Sequence, residues 1–366
     1  MQKLLSTLLI FIVIPIITTR ISALDEVGTS TSALNDGRRL YTSTPGIVWL
    51  LSFPGSGTTY TEMIIQDSTG YTTANNYGTG RYTIDDNTKV MTDTEPKQLY
   101  DERVNGPFLT SDLKIPNKYI ITRTHCLNTC YDCPPINYIS RGHFWFYTTC
   151  LMGTKYDPTT KANVNVQYSG ELVHKAMHMI RDPFSNIVSR FLKHFKWRSG
   201  STVSSDMIVD ITNDKQGFQE YCRRLDEKFY KQEIDMFPEI MGNNTLMKDV
   251  PCRSEFYKYT QWHNLAYTAT KDMHPMPIIT LHYEEYCKDL DGVLNSMLDF
   301  IELDDRKPEG SFNLRLPHCH NYVNFFDDHQ LIAIETFIRH LAEPYLLSKL
   351  IKYFNLTNVY ITLSEG

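Results

Sequence analysis

The chain has 366 residues, enough for one large domain or two smaller ones. Hydrophobic residues are 42% of it and charged residues 21%, globular proportions that exclude wholesale disorder. Its 36 basic and 42 acidic residues leave a net charge of −6 with no polybasic tail, which speaks against a dedicated nucleic-acid binder.

The N-terminus begins Met1-Gln2-Lys3 and continues into an apolar run from Leu4 to Ile17. The run is shorter than the ~20 residues a membrane-spanning helix needs, and Ser6, Thr7 and Pro15 weaken it as a span. With Ile21-Ser22-Ala23 behind it, residues 1–23 read as a cleaved signal peptide or a short signal anchor. Either one sends the chain into the secretory lumen, and only an uncleaved segment would touch a membrane. Residues 24–44, rich in Ser, Thr and Gly, read as a flexible stem.

Four short β-branched apolar runs read as buried strands: Ile47–Leu51, Tyr119–Thr122, Ala176–Ile180 and Ile278–Leu281. Helical spacing joins Phe184, Ile187, Val188, Phe191, Leu192 and Phe195, with Asp182 as N-cap and Pro183 in the first turn. Further helical patterns run Phe218–Phe229, Leu290–Ile301 and Leu331–Leu341. Alternating strands and helices predict an α/β fold with a mainly parallel central sheet flanked by helices. Thr69 to Thr94 shows no period and reads as a long loop over one end of the sheet.

The eight cysteines suit an oxidising lumen, where some would pair; spacing leaves their connectivity open. Cys126, Cys130 and Cys133 also allow a metal site, though no fourth ligand stands at zinc-like spacing. Two glycosylation sequons stand at Asn243-Asn244-Thr245 and Asn355-Leu356-Thr357.

The first strand runs into Ser52-Phe53-Pro54-Gly55-Ser56-Gly57-Thr58-Thr59-Tyr60, and a helix follows. Glycines let backbone N–H groups approach a phosphate, and the helix N-terminus adds partial positive charge. A nucleotide triphosphatase loop needs Lys before Ser/Thr, and here Thr58 holds that place, so metal-dependent kinase chemistry lacks its loop cation. A second anion element is Arg181 at the end of the third strand, with Ser189 eight residues on.

These segments resemble the sulfotransferase family. Ser52–Tyr60 is similar to its 5′-phosphosulfate loop, and Met179–Phe191 to its 3′-phosphate element, in which a Ser follows an Arg by eight residues. Ile121-Thr122-Arg123-Thr124-His125 resembles the family's basic-Thr-His signature, and Trp262 leading to Leu281–Tyr286 resembles a later Trp, strand and Tyr-Glu order. The Ser-Phe-Pro-Gly-Ser-Gly and Arg-Asp-Pro-Phe wording is closest in style to WSC-domain-type and Golgi carbohydrate sulfotransferases.

The resemblance implies a single P-loop-like sulfotransferase domain over residues 45–360, with 3′-phosphoadenosine-5′-phosphosulfate (PAPS) as donor and no metal. It implies that Gly55, Ser56, Gly57, Thr58, Thr59, Tyr60, Arg181 and Ser189 hold the nucleotide, with the Tyr60 ring stacking on adenine in place of the family's Trp. It makes His125 the catalytic base and Arg123 the cation beside the sulfuryl group. Many relatives carry Lys where this chain has Gly55, so Gly55→Lys would raise the rate if the missing Lys limits it and the turn accepts a side chain. The family's C-terminal Arg-Lys-Gly loop has no match here, and Arg315, the nearest loop cation, does not take its role. The acceptor expected is a hydroxyl of a glycan or another secretory-pathway molecule, and the location the Golgi lumen, or outside the cell if the signal is cleaved. Two other readings are a P-loop kinase and a secreted nucleotide-binding glycoprotein without catalysis.

Overall fold

The computed structural model describes residues 45–354, apart from 79–80, 86–87, 93–96, 101–105, 127–129, 140–141, 158–161, 200–206, 237, 239–246, 305, 307–316 and 318. The signal or anchor segment, the stem, both sequons and Arg315 lie outside the described residues.

Ten strands and eight α-helices occur among these residues. The strands are β1 (Gly46–Ser52), β2 (Ala74–Asn75), β3 (Arg81–Asp85), β4 (Thr88–Thr92), β5 (Phe108–Leu109), β6 (Tyr119–Thr124), β7 (Met152–Asp157), β8 (Ala162–Gln167), β9 (Val173–Ile180) and β10 (Ile278–His282). The helices are α1 (Thr58–Thr69), α2 (His143–Cys150), α3 (Pro183–Ser199), α4 (Lys215–Met236), α5 (Arg253–Thr268), α6 (Leu290–Phe300), α7 (Asp328–Leu341) and α8 (Pro344–Leu350). The central sheet has the order β10-β9-β1-β6-β2-β5. All its pairings are parallel except β2 with β5. The expected α/β fold with a mainly parallel, helix-flanked sheet is therefore present.

Strand β1 is the axis of the sheet, which explains its unbroken apolar run: Val48 to Leu51 are all fully buried. Pleating sends alternate residues to opposite faces. Ile47, Trp49 and Leu51 join a large cluster with apolar residues of α2, α3, α4, α5 and α7. Val48 and Leu50 join a smaller one with Ile64 and Ile65 of α1 and Leu294, Met297 and Leu298 of α6.

All four expected strands and all four helical patterns are present. Asp182 caps α3 by accepting from the backbone amides of Phe184 (3.2 Å) and Ser185 (3.3 Å), with Pro183 at the first position. Nine elements escaped the sequence reading, namely β2 to β5, β7, β8, α2, α5 and α8, and two cases show why. Helix α5 is buried nearly all round, including Arg253, Glu255, Lys258 and His263, so it shows no polar stripe to reveal its period. The segment read as one long loop, Thr69 to Thr94, instead contains β2 and the β3–β4 hairpin. Strand β2 has two residues, too few for alternation to show, and it forms because β6 and β5 offer partners on both sides.

All eight cysteines pair, as Cys126–Cys150, Cys130–Cys133, Cys222–Cys252 and Cys287–Cys319. Disulfide formation consumes the three sulfurs that sequence spacing had offered to a metal.

Candidate active site

Parallel strands deliver their carboxyl ends to one edge of the sheet. In register, Leu51 of β1 faces Thr124 of β6, Ser52 faces Met179 of β9, and Ile180 of β9 faces His282 of β10. The segments that follow, Phe53–Tyr60, His125, Arg181 and Tyr283, therefore meet at this edge, where ligands of open α/β sheets bind.

The turn from β1 into α1 is built on two left-handed glycines, Gly55 at φ +93° and Gly57 at φ +100°. A side chain at Gly57 would collide with the Tyr283 ring, its Cβ lying 2.3 Å from Cδ2. The turn is braced from β9 and α3. Arg181 Nη1 donates to the Gly55 carbonyl (2.9 Å), and Asn186 Nδ2 donates to Ser56 Oγ (3.0 Å). Gly57 caps α1 without a side-chain acceptor, and no acidic residue stands in the first turn. The amides of Thr58 and Thr59 thus open α1 with no side-chain cap and the helix dipole behind them, the arrangement that attracts an anion.

Arg181 is buried, its guanidinium packs 4.7 Å from the centre of the Tyr283 ring, and its Nε has no hydrogen-bond partner. A buried guanidinium nitrogen left open is a place for an anionic oxygen. Ser189 lies two turns into α3, half-buried. Beside Arg181 a cavity of about 280 Å³ opens between Asp182, Ser185, Glu284 and Lys352. It adjoins the Arg181 element and does not include the glycine turn.

Arg123 is less free than expected. Its Nη1 donates to Thr59 Oγ1 (3.1 Å) and lies 3.2 Å from Oε2 of Glu62, a fully buried carboxylate on α1. The pair ties the glycine turn to β6. Tyr60 presents its ring edge-on to Tyr286 at 5.5 Å, and burial pushes its phenol up to about 12.

His125 is partly buried, and Nδ1 lies 2.9 Å from the Ser52 carbonyl and 3.1 Å from Ser52 Oγ. Burial, followed by the positive field of Arg123 and smaller contributions from Lys193 and Arg190, holds its pKa down to about 3. The imidazole is therefore neutral near pH 7. Since a carbonyl only accepts, the proton sits on Nδ1 and the lone pair on Nε2.

Sequence reasoning missed Glu62, Tyr77, Asn186 and Lys193. Asn186, Arg190 and Lys193 fall at i, i+4 and i+7, one face of α3. That face lies along the turn, since a Cβ on Gly55 would meet Arg190 Cγ at 3.0 Å. The period was visible, but not which side of the helix faced the turn. Lys193 replaces nothing in the sequence pattern, yet its charge acts on both His125 and Arg123.

The family model for the sulfotransferase domain matches residues 45–321, which include every element of this site. The chain belongs to the sulfotransferase family. Among solved structures, the sulfotransferase is similar to mouse sulfotransferase SULT7A1 complexed with PAP, at 13% identity and a TM-score of 0.36, over 84% of this chain and 88% of that one. No curated protein matches it significantly in sequence. The family's donor, PAPS, fits the residues present. The glycine turn and the α1 amides form a cradle that a Cβ would fill, and Arg181 keeps a buried nitrogen open.

Proposed function

We propose that this sulfotransferase acts on a hydroxyl of a glycan within the secretory pathway, with His125 as general base. The carrying observation is the His125 imidazole: neutral, fixed through Nδ1 to Ser52 at the mouth of the glycine turn, and left with a basic Nε2. PAPS, when bound, supplies an activated sulfuryl group and a phosphate leaving group. The turn from Gly55 to Thr59, with Ser56 and Thr58 in it, holds the phosphate end through backbone amides and hydroxyls, while Arg181 and Ser189 hold the second phosphate. His125 Nε2 takes the proton of the acceptor hydroxyl. Arg123, paired with Glu62, holds Thr59 in place, and Lys193 adds positive potential where negative charge gathers. Tyr60 is retained as the adenine-facing ring by its position directly after Thr59.

The lumen is supported by the pairing of all eight cysteines, a pattern of oxidising compartments, and the glycan follows from that compartment together with the family resemblance. Glycosidase treatment of the protein expressed in a secreting cell should lower its apparent mass; a cytosolic, unglycosylated product contradicts the lumen.

The test of the chemistry has two arms. Calorimetry should show 3′-phosphoadenosine-5′-phosphate binding without Mg²⁺. Single-turnover transfer from labelled PAPS to a chemically desulfated polysaccharide should fall by ~10²–10⁴ in His125→Ala, with nucleotide affinity nearly intact. A wild-type rate from that variant overturns the base assignment.

A further inference from the structure

The base is held on more sides than a surface-loop histidine needs. Strand β2 lies parallel to β6 with Asn75 opposite Arg123. Continuing that register by two residues sets Tyr77 opposite His125. The Asn75 side chain fixes the turn there, its Oδ1 accepting from the amides of Tyr77 (2.7 Å) and Gly78 (3.1 Å). The Tyr77 hydroxyl then accepts from the His125 backbone N–H, and its ring stacks on the imidazole, with centroids 5.6 Å apart and planes 22° from parallel. From the other side Trp262 of α5, itself buried, donates its indole N–H to the His125 carbonyl (2.8 Å). The Trp262 ring also meets Phe53 of the glycine turn edge-on at 6.3 Å. Together with Ser52 at Nδ1, these contacts engage the N–H, the C=O and one ring nitrogen of His125, leaving Nε2 as its open polar atom.

We infer that Tyr77 and Trp262 are positioning residues for the base: they fix the backbone and the ring plane of His125 so that Nδ1–H stays on Ser52 and Nε2 faces the acceptor. The inference rests on the reading of His125 as base. Neither residue touches the reacting atoms in this arrangement; both act through His125. The chemistry requires such a fixture, because a neutral imidazole has two tautomers and a ring flip exchanges the atoms it presents. A small displacement of a general base is also costly, since proton transfer needs hydrogen-bond distance.

The experiment uses the whole chain labelled with ¹⁵N in its histidines, together with the Tyr77→Phe, Tyr77→Leu and Trp262→Phe variants. Long-range ¹H–¹⁵N spectra, with His125→Ala identifying the signal, should show one Nδ1–H tautomer at neutral pH in the wild type. Tyr77→Leu and Trp262→Phe should give mixed tautomers, and Tyr77→Phe, which keeps the stacked ring but loses the acceptor for the His125 N–H, should fall between Tyr77→Leu and wild type. Single-turnover transfer from labelled PAPS to a desulfated polysaccharide should slow ten- to a hundredfold in the first two, while 3′-phosphoadenosine-5′-phosphate affinity changes less than twofold. In the His125→Ala background the same substitutions should cost nothing further. An unchanged tautomer signal in both variants overturns the inference, as does an equal slowing with and without His125. If His125→Ala alone turns over at the wild-type rate, the base reading fails, and the tautomer spectra still decide whether the two residues fix the ring.

Discussion

Gly55 stands where many relatives carry a lysine, and the sequence suggested that Gly55→Lys would speed turnover if the missing lysine limits the rate and the turn tolerates a side chain. The structure reverses the expectation. Gly55 sits at φ +93°, and a Cβ there would meet Arg190 Cγ at 3.0 Å. The left-handed backbone costs an L-residue ~1–2 kcal/mol. Arg190 is poorly placed to yield: it is buried, its Nε donates to Glu255 at 2.9 Å, and its guanidinium lies between the rings of Phe53 (4.7 Å) and Tyr131 (4.5 Å). Displacing a packed stem adds ~1–3 kcal/mol. Gly55→Lys should therefore lose roughly 2–5 kcal/mol of stability, with Gly55→Ala losing most of the same amount, because the Cβ causes it. Urea unfolding followed by fluorescence measures both variants, and nucleotide affinity should fall with the distorted turn. A Gly55→Lys protein with the wild-type midpoint and faster turnover refutes the reasoning, for it would mean that the turn relaxes and the Arg190 stem moves freely.

Arg181→Ala should weaken 3′-phosphoadenosine-5′-phosphate binding by ~1–3 kcal/mol, the cost of a charged hydrogen bond, with part of the loss coming through its bond to the Gly55 carbonyl; unchanged affinity by calorimetry contradicts its role. His178 is buried against Tyr267, with Nε2 3.0 Å from Thr270 Oγ1, and burial lowers its pKa from 6.5 to about 3. Below pH 6.5 the unfolded chain gains a proton there that the folded chain refuses, so this stability is present above 6.5 and lost as pH falls toward 3. His178→Asn should narrow the gap in urea midpoint between pH 7 and pH 5. Comparison with wild type isolates this group from Asp182, whose carboxyl is raised to about 6 by burial and acts in the opposite direction.

The elements that meet at this edge of the sheet were legible because each is local: an apolar run ending in Gly-Ser-Gly, or an Asp-Pro cap before an apolar stripe. The family signature at Arg123 and His125 was legible for the same reason. What surrounds His125 was not. Tyr77 and His125 are 48 residues apart, and Trp262 is 137 residues beyond His125. Only the pairing of a two-residue strand and the docking of a helix with no polar face bring them together. Arg123 shows the converse. Its signature was visible in the sequence, but the charge it meets, Glu62, hides in an otherwise unremarked turn of α1.

Tyr283 backs the site from below, filling the space beside Gly57 and lying under the Arg181 guanidinium. It arrives late in the chain, after the four parallel strands that carry the site are complete. A ribosome makes the glycine turn first and must add more than two hundred residues, at roughly 5–20 per second, before the turn acquires its floor. The turn is therefore made long before the ring that backs it. The site has its floor only once residue 283 has been added, with 83 of the 366 residues still to follow.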